Sequence, residues 1–441
     1  MYRSIREMLS SSNEKGRWMK LRLMILVPLM LMLVSVSTAA GAGLLSKFKA
    51  GVEVEEEYTD NLDLTPEGEK EDFITTVRPG ITFSNNGDTF NVDLKYSLNA
   101  VFYKKNSNLD YIGHNASLNA GYDLTKRLNV FFRDYFIRSD DPREREYFTE
   151  TADHRYVSAV KTERSVYWRN VASPGMVYRF GSRNSTGVTY RNNVYRTESK
   201  TGEDSREDYI EPFVFFSFDR QNEAGLTYGH TRGDFDRSPD LEGHRLVPRY
   251  TRHISPRTSV FGEYTYLKRD YEPPSTADYE LHNPSSGVTA SLSPTLTATA
   301  QLGYFWMDAE SGSGQNGLSY MALLARTLPR TTYRLELNGG YGEDLFTSEN
   351  LGFNRYNALM FSIDHRVDPK FSIGCNGRVE REKYEFPEHR DTTWEVNGLA
   401  SYRLLKWLTL SLSAGHEDRE SNEAGYEHTV NSAIFRATAT Y

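Results

Sequence analysis

The residues able to do chemistry are few and widely spaced. Ten histidines stand at His114, His154, His230, His244, His253, His282, His365, His389, His416 and His428, and none forms an HExxH or another local pair with metal-ligand spacing. A hydrolase needs a nucleophile and a histidine oriented by a third group. His416-Glu417-Asp418 and Glu427-His428 come nearest, because one hairpin would bring them together, but they flank a loop where charge is expected anyway. Asp140-Asp141 with Glu144 and Glu146 offers carboxylate oxygens to a hard cation. Arg143, Arg145 and Arg155 interleave with them, so a solvated, salt-bridged loop is the simpler reading. Cys375 is the only cysteine, which excludes an intramolecular disulfide and a Cys-based metal site. These patterns predict no catalytic residue, no metal and no cofactor.

The elements that would have to position such residues read as strands. Phe90, Val92, Leu94, Tyr96, Leu98, Ala100 and Phe102 alternate with Asn91, Asp93, Lys95, Ser97 and Asn99. A helix would scatter those apolar groups around its circumference, whereas a strand puts them on one face. The pattern recurs at Phe73–Phe83, Leu296–Trp306, Trp394–Leu404 and Leu408–Ala414, and no stretch after residue 42 shows a 3.6-residue period. The connections alternate between two kinds. Short turns such as Asn85-Asn86-Gly87-Asp88, Pro256-Arg257, Pro294-Thr295 and Lys406-Trp407 separate longer polar loops. The loops are 59–71, 104–111, 139–163, 198–207, 235–243, 270–278, 308–316, 343–353, 385–391 and 417–427. Alternation of this kind marks a transmembrane antiparallel β-barrel, with short periplasmic turns and long outer loops. About twenty strands are predicted, within 18–22, and an even number puts both termini in the periplasm.

Composition agrees with an all-β, single-barrel chain. Mean hydropathy is −0.62, yet 13% of residues are aromatic, with 29 Tyr and 23 Phe. Apolar outer walls, polar lumens and aromatic interface girdles give that balance. At the N-terminus, Met19-Lys20-Leu21-Arg22, an apolar run from Leu23 to Val36 and Ala40-Gly41-Ala42 form an export signal with a small-x-small cleavage site. The expected division is 1–42 as N-terminal extension and signal peptide, and 43–441 as the barrel. Loss of residues 1–42 leaves 46 Lys and Arg against 58 Asp and Glu, a net charge of −12. An acidic exported chain is a poor nucleic-acid binder. The strand pattern starts near Phe48, which leaves no room for a plug domain and predicts a bare barrel.

Several positions carry specific expectations. The final residues place Ala433, Phe435, Ala437, Ala439 and Tyr441 on one strand face. A closing strand that ends on an aromatic makes Phe435 and Tyr441 the expected assembly signal, read by the barrel assembly machinery. Asp93, Lys95, Arg334, Glu336, Arg378 and Glu380 are expected to face the lumen, with Thr409, Ser411 and Ser413. Loop 139–163, with Asp140, Asp141, Arg143 and Arg145, is the longest connection and the expected constriction. Pro79, Pro174, Pro212, Pro248 and Pro284 sit inside strands, where bulges or irregular pairing are expected.

Tyr58-Thr59-Asp60-Asn61, followed by Asp72-Phe73-Ile74-Thr75-Thr76-Val77-Arg78-Pro79-Gly80-Ile81, resembles the opening of the β-barrel porin families of Gram-negative bacteria. Members are associated with exopolysaccharide synthesis and export, so the resemblance implies a passive outer-membrane pore with exopolysaccharide as cargo. Outer-membrane lipid and lipopolysaccharide are the expected surroundings. The alternatives are a structural or adhesive barrel, and an outer-membrane hydrolase built on the same scaffold.

Overall fold

The computed structural model describes residues 47–141, 164–272, 278–310, 314–346, 351–385 and 388–441. The export signal, Arg143, Arg145 and most of loop 139–163 lie outside the described residues. Twenty antiparallel strands follow one another around the sheet. They are β1 (Phe48–Thr59), β2 (Asp72–Asn86), β3 (Phe90–Tyr103), β4 (Tyr111–Asp123) and β5 (Leu128–Ser139). Next come β6 (Tyr167–Phe180), β7 (Asn184–Thr197), β8 (Ser205–Ser217), β9 (Asn222–Phe235) and β10 (Leu241–Ser255). The second half has β11 (Thr258–Tyr271), β12 (Tyr279–Ser293), β13 (Leu296–Ala309), β14 (Gln315–Thr327) and β15 (Thr331–Asp344). It ends with β16 (Gly352–Arg366), β17 (Phe371–Glu385), β18 (Glu388–Leu405), β19 (Leu408–Ser421) and β20 (His428–Thr440).

β20 pairs with β1 from Thr440↔Gly51 to Ser432↔Thr59, so the sheet closes and has no free edge. Both termini of the barrel lie at the short-turn end. The alternation decides which face is which. Leu302, Leu318, Val379, Leu412 and Phe435 point outward and are exposed, while their neighbours in sequence point into the lumen. A continuous apolar outer wall of this kind needs lipid around it. Trp168, Trp306 and Trp394 ring the outer wall toward the long-loop end; Phe218, Ile254, Leu292 and Trp407 ring the short-turn end.

One local expectation narrows and two change. At Pro79 the ladder from β2 to β3 skips two positions and resumes unshifted, from Val77↔Ala100 to Gly80↔Ser97. Pro174, Pro212, Pro248 and Pro284 repeat that break toward the next strand in β6, β8, β10 and β12. No residue is inserted, so these are gaps in pairing and not bulges: the proline lacks the N–H that the ladder needs. Register shifts occur instead at His253/Ser255, Ser291/Ser293 and Arg403/Leu405, each beside a two-residue turn. Segment 385–391 is not a long loop, because β17 and β18 pair up to Glu385↔Glu388. Segment 343–353 is not a plain loop either, because β15 and β16 remain paired to Asp344↔Gly352.

Candidate functional site

The closed sheet encloses a lumen, and its two ends differ. Near the short-turn end and around mid-barrel it is lined by short polar side chains and paired charges. At the seam, Arg78 reaches Glu53 at 2.9 Å and donates to Glu55 at 3.0 Å. Arg436 of β20 donates to Glu55 at 2.7 Å and lies 3.2 Å from Glu53, and Thr438 donates to Glu53 at 3.0 Å. Two arginines and two glutamates therefore bridge β20, β1 and β2 on the lumen side. Two arginines sharing two carboxylates through charge-assisted bonds fix this register more firmly than a single surface pair. Of the residues expected in the lumen, Arg334 donates to Glu336 at 2.5 Å and Arg378 pairs with Glu380, each pair on one face of its strand. Asp93 and Lys95 lie on the lumen face of β3, opposite Ser84 and Thr82.

At the long-loop end the lumen is filled. Leu267, Tyr279, Leu281, Phe305 and Met307 form one buried cluster; Ile137, Tyr167 and Tyr195 form another. What fills the centre is the described upper part of the β15–β16 hairpin, up to Phe346 on one arm and from Gly352 on the other. The ladder between β14 and β15 stops at Tyr320↔Gly339, while β15 and β16 stay paired beyond it. Gly340 sits at φ 147°, a region open to glycine, and a Cβ there would lie 3.2 Å from the Ser319 side chain. Past this hinge the hairpin leaves the wall and folds inward. Tyr341 and Phe353 pack on the lumen-facing Phe305 and Tyr279, with ring centroids 5.2 and 5.7 Å apart.

The inward hairpin is anchored by charge and by an aromatic contact. Glu343 accepts two bonds from Arg269 of β11, at 2.8 and 2.7 Å, and one from the Tyr279 hydroxyl. This pair is almost fully buried, so removing either partner leaves a stranded charge. Beyond it, Phe346 stacks on Phe235 at 5.2 Å, and its carbonyl accepts from Arg169 at 2.9 Å. Arg169 belongs to β6, nine strands away around the sheet, so Phe346 reaches across the lumen. Gly233 makes room for the Phe346 ring: a Cβ there would meet it at 2.9 Å.

At the rim, Arg164 gathers three connections. It donates to Asp63 at 3.3 Å, to the Tyr103 hydroxyl at 3.1 Å and to Asp140 at 3.3 Å, with Asp141 at 3.9 Å. Asp140 and Asp141 thus hold the described base of loop 139–163 against the mouth. Burial pushes the Asp140 carboxyl up to about 6; Arg164 pulls it down and Asp141 adds to the rise.

Residues 47–440 match the model of the family described as "Putative beta-barrel porin 2". The chain belongs to this family. It is an outer-membrane β-barrel of porin type. No curated protein matches it in sequence. Among solved structures, the siderophore receptor PirA from Pseudomonas aeruginosa is 10% identical with a TM-score of 0.51, over 90% of this chain and 80% of that one. The ferric citrate transporter FecA is 11% identical with a TM-score of 0.50, over 90% and 79%. OpdQ of Pseudomonas aeruginosa reaches 12% identity and a TM-score of 0.41, over 89% and 98%. For PirA and FecA, at such identities, the likeness is one of fold.

The barrel also brings together residues that the sequence kept apart. His428 meets Glu417 at 3.1 Å across the last hairpin, as the spacing suggested, but His416 faces outward and bonds Asn431 at 2.6 Å. The two histidines are on opposite faces and cannot share a site. Ser421, His389 and Asp391 do meet inside the mouth, at 3.2 and 2.7 Å. Both contacts use the same nitrogen, Nε2, whereas a relay needs one partner on each ring nitrogen. Arg419 also claims Asp391, and His389 and Asp391 are buried, so no substrate carbonyl reaches them.

On the outer wall, His230, Glu242 and His244 hold potential ligand atoms within 4.8 Å of one another, the two histidines being cross-strand partners. Residues fourteen apart reveal that pairing only once the register is known. The Tyr228 hydroxyl bonds His244 at 2.7 Å. The same bond joins Tyr96 to His114 and Tyr264 to His282, with no second histidine opposite either. These pairs are the polar ends of the aromatic girdle. Phe435 is exposed on the outer wall, and Tyr441 exchanges backbone bonds of 2.9 and 3.1 Å with Ala50 at the seam.

Proposed function

We propose that this barrel is a passive pore, open from the short-turn side and gated at the long-loop mouth by the inward β15–β16 hairpin. The short turns and both termini face the periplasm, and the long loops face the exterior. The observation that carries the reading is the lumen itself. Twenty strands enclose a space too wide for side chains alone to fill, and the half away from the mouth is lined by hydroxyls, amides and internally neutralised charge pairs. Such a surface exchanges hydrogen bonds with a carbohydrate at many weak sites. Weak repeated contacts let a polymer slide, so exopolysaccharide passing outward is the cargo this reading favours. No cofactor and no turnover are involved. The test is planar-bilayer recording of the purified barrel together with a gene knockout. Channels plus loss of surface polysaccharide support the full reading; channels with an unchanged coat leave a general porin.

A second reading has an observation of its own. The buried Arg269–Glu343 pair and the Phe346 crossing would also suit a permanently closed structural or adhesive barrel. Absence of channels at every voltage, in wild type and in hairpin-tip variants alike, would favour it.

A further inference from the structure

The hairpin that closes the mouth also opens the wall. Above Tyr320↔Gly339, β14 keeps its pairing with β13 up to Met307↔Gln315 but has lost β15. The gap is a cleft of about 590 Å³ whose floor includes Phe305 and Gly340. Its outward side is formed by Leu318 and Tyr320 of β14 and Asn357 of β16. Tyr320 bonds Asn357 at 2.6 Å over the top of Gly339, which marks the lower end of the cleft. Its rim carries four cations, Arg355, Arg381, Lys383 and Arg390, against one lining carboxylate, Glu382. Arg390 is in turn paired with Glu388 at 2.6 Å.

The level of this cleft matters as much as its charge. Trp394 of β18 stands opposite Val379, and Arg381 is opposite Thr392, one step nearer the loops. The basic rim therefore lies just above the tryptophan girdle, at headgroup depth, with an apolar Leu318 surface below it. Basic residues over an apolar notch match an amphiphile with a phosphorylated head.

We propose that this cleft binds the phosphorylated sugar headgroup of an outer-leaflet saccharolipid, lipopolysaccharide, with an acyl chain laid against Leu318. The site goes beyond the pore and rests on one element of the reading above, the exterior orientation of the long loops. Arginine guanidinium groups present fork-like donors to phosphate oxygens, and Lys383 adds a point charge.

The experiment uses the full barrel purified in detergent and lipid A carrying two phosphates as the probe, with bound lipid quantified by native mass spectrometry. The double substitution Arg381→Ala with Lys383→Ala is expected to weaken binding about tenfold, the scale of one charge-assisted bond lost. A control removes two exposed outer-wall arginines of β8 and β9, Arg206→Ala with Arg232→Ala, and is expected to leave binding unchanged. Leu318→Trp fills the notch without altering charge and should also weaken binding; it serves if the double variant fails to fold. Equal losses in the cleft and control variants, or none in either, would overturn the proposal. Displacement by millimolar inorganic phosphate would assign the site to free phosphate, and tighter binding of phosphatidylglycerol would assign it to the opposite leaflet; either result overturns it. None of these outcomes depends on channel formation.

Discussion

Along β12 the inward residues run Tyr279, Leu281, Asn283, Ser285, Gly287, Thr289 and Ser291 from the long-loop end to the short-turn end. β13 repeats the gradient in reverse, from Thr297, Thr299 and Gln301 to Phe305 and Met307. Tyr279, Leu281 and Asn283 on β12 and Met307 and Phe305 on β13 are buried, and the inward positions toward the short-turn end are more exposed. Two regions of one wall thus do different work. The mouth is a small hydrophobic core with ion pairs embedded in it, held by packing. The other half is a solvated tube, held by the ladder itself and by the charge bridge at the seam. Packing can be undone locally without opening the barrel; the seam cannot.

That contrast predicts the largest effect at the seam. Glu55→Ala removes the more buried of the two carboxylates that Arg78 and Arg436 share and leaves Glu53 alone between them. Breaking a buried network from one side costs about 3–5 kcal/mol, and hydration of the lumen puts this case at the lower end. The yield of heat-modifiable barrel in outer membranes should fall, and deletion of Tyr441 should lower it sharply as well, because it removes the end of the strand that meets β1. Wild-type yields in both strains would mean that closure is not decided here.

Next in size come the mouth variants. Arg269→Ala strands the Glu343 carboxylate, and Phe346→Ala removes the ring stacked on Phe235. Both should raise single-channel conductance severalfold while leaving heat-modifiability unchanged, the reverse of the seam variants. A drop in barrel yield with unchanged conductance would show that the hairpin supports the wall and does not gate it. Gly233→Val asks the same question with a lighter touch. Its Cβ would intrude on Phe346, which must move, so more frequent openings are expected, without a change in charge or in the open-state conductance.

How much of this could be read from the sequence follows the same division. The tube was legible: period-two faces, short turns and the polar positions Arg334, Glu336, Arg378 and Glu380 depend only on local pattern. The mouth was not. Tyr341, Glu343 and Phe353 alternate like any wall strand, and nothing in that alternation says that the hairpin leaves the sheet. The Gly339-Gly340 pair was the available signal, since two glycines in mid-strand permit a bend. Loop length pointed to 139–163, most of which lies outside the described residues; among the described residues Phe346 makes a crossing. Ser421 with His389, and His230 with His244, meet through register, which sequence spacing alone does not fix. At the prolines the irregular pairing was legible and the bulge was not needed, because a missing donor breaks pairing without adding a residue.

The smallest effect should appear at the rim, where the mouth meets water. Asp140 holds its proton up to about 6 in the folded barrel because it is buried beside Asp141, with Arg164 opposing. An exposed aspartate releases its proton near 4. The folded state therefore binds more protons than the undocked segment between roughly pH 4 and 6, and docking weakens as pH rises through that window. Above it the loss is complete and docking no longer changes. Hydrogen exchange at Tyr103, Ser139 and Arg164, corrected for its intrinsic pH dependence, should show more protection at pH 4.5 than at pH 7.5. Asp140→Asn removes the titrating group while Asp63 and Asp141 still hold Arg164, and its protection should be the same at both pH values. A wild-type profile that is flat across the window, or a variant that keeps the slope, would place the pH sensitivity elsewhere on the rim and leave Asp140 as a simple tether.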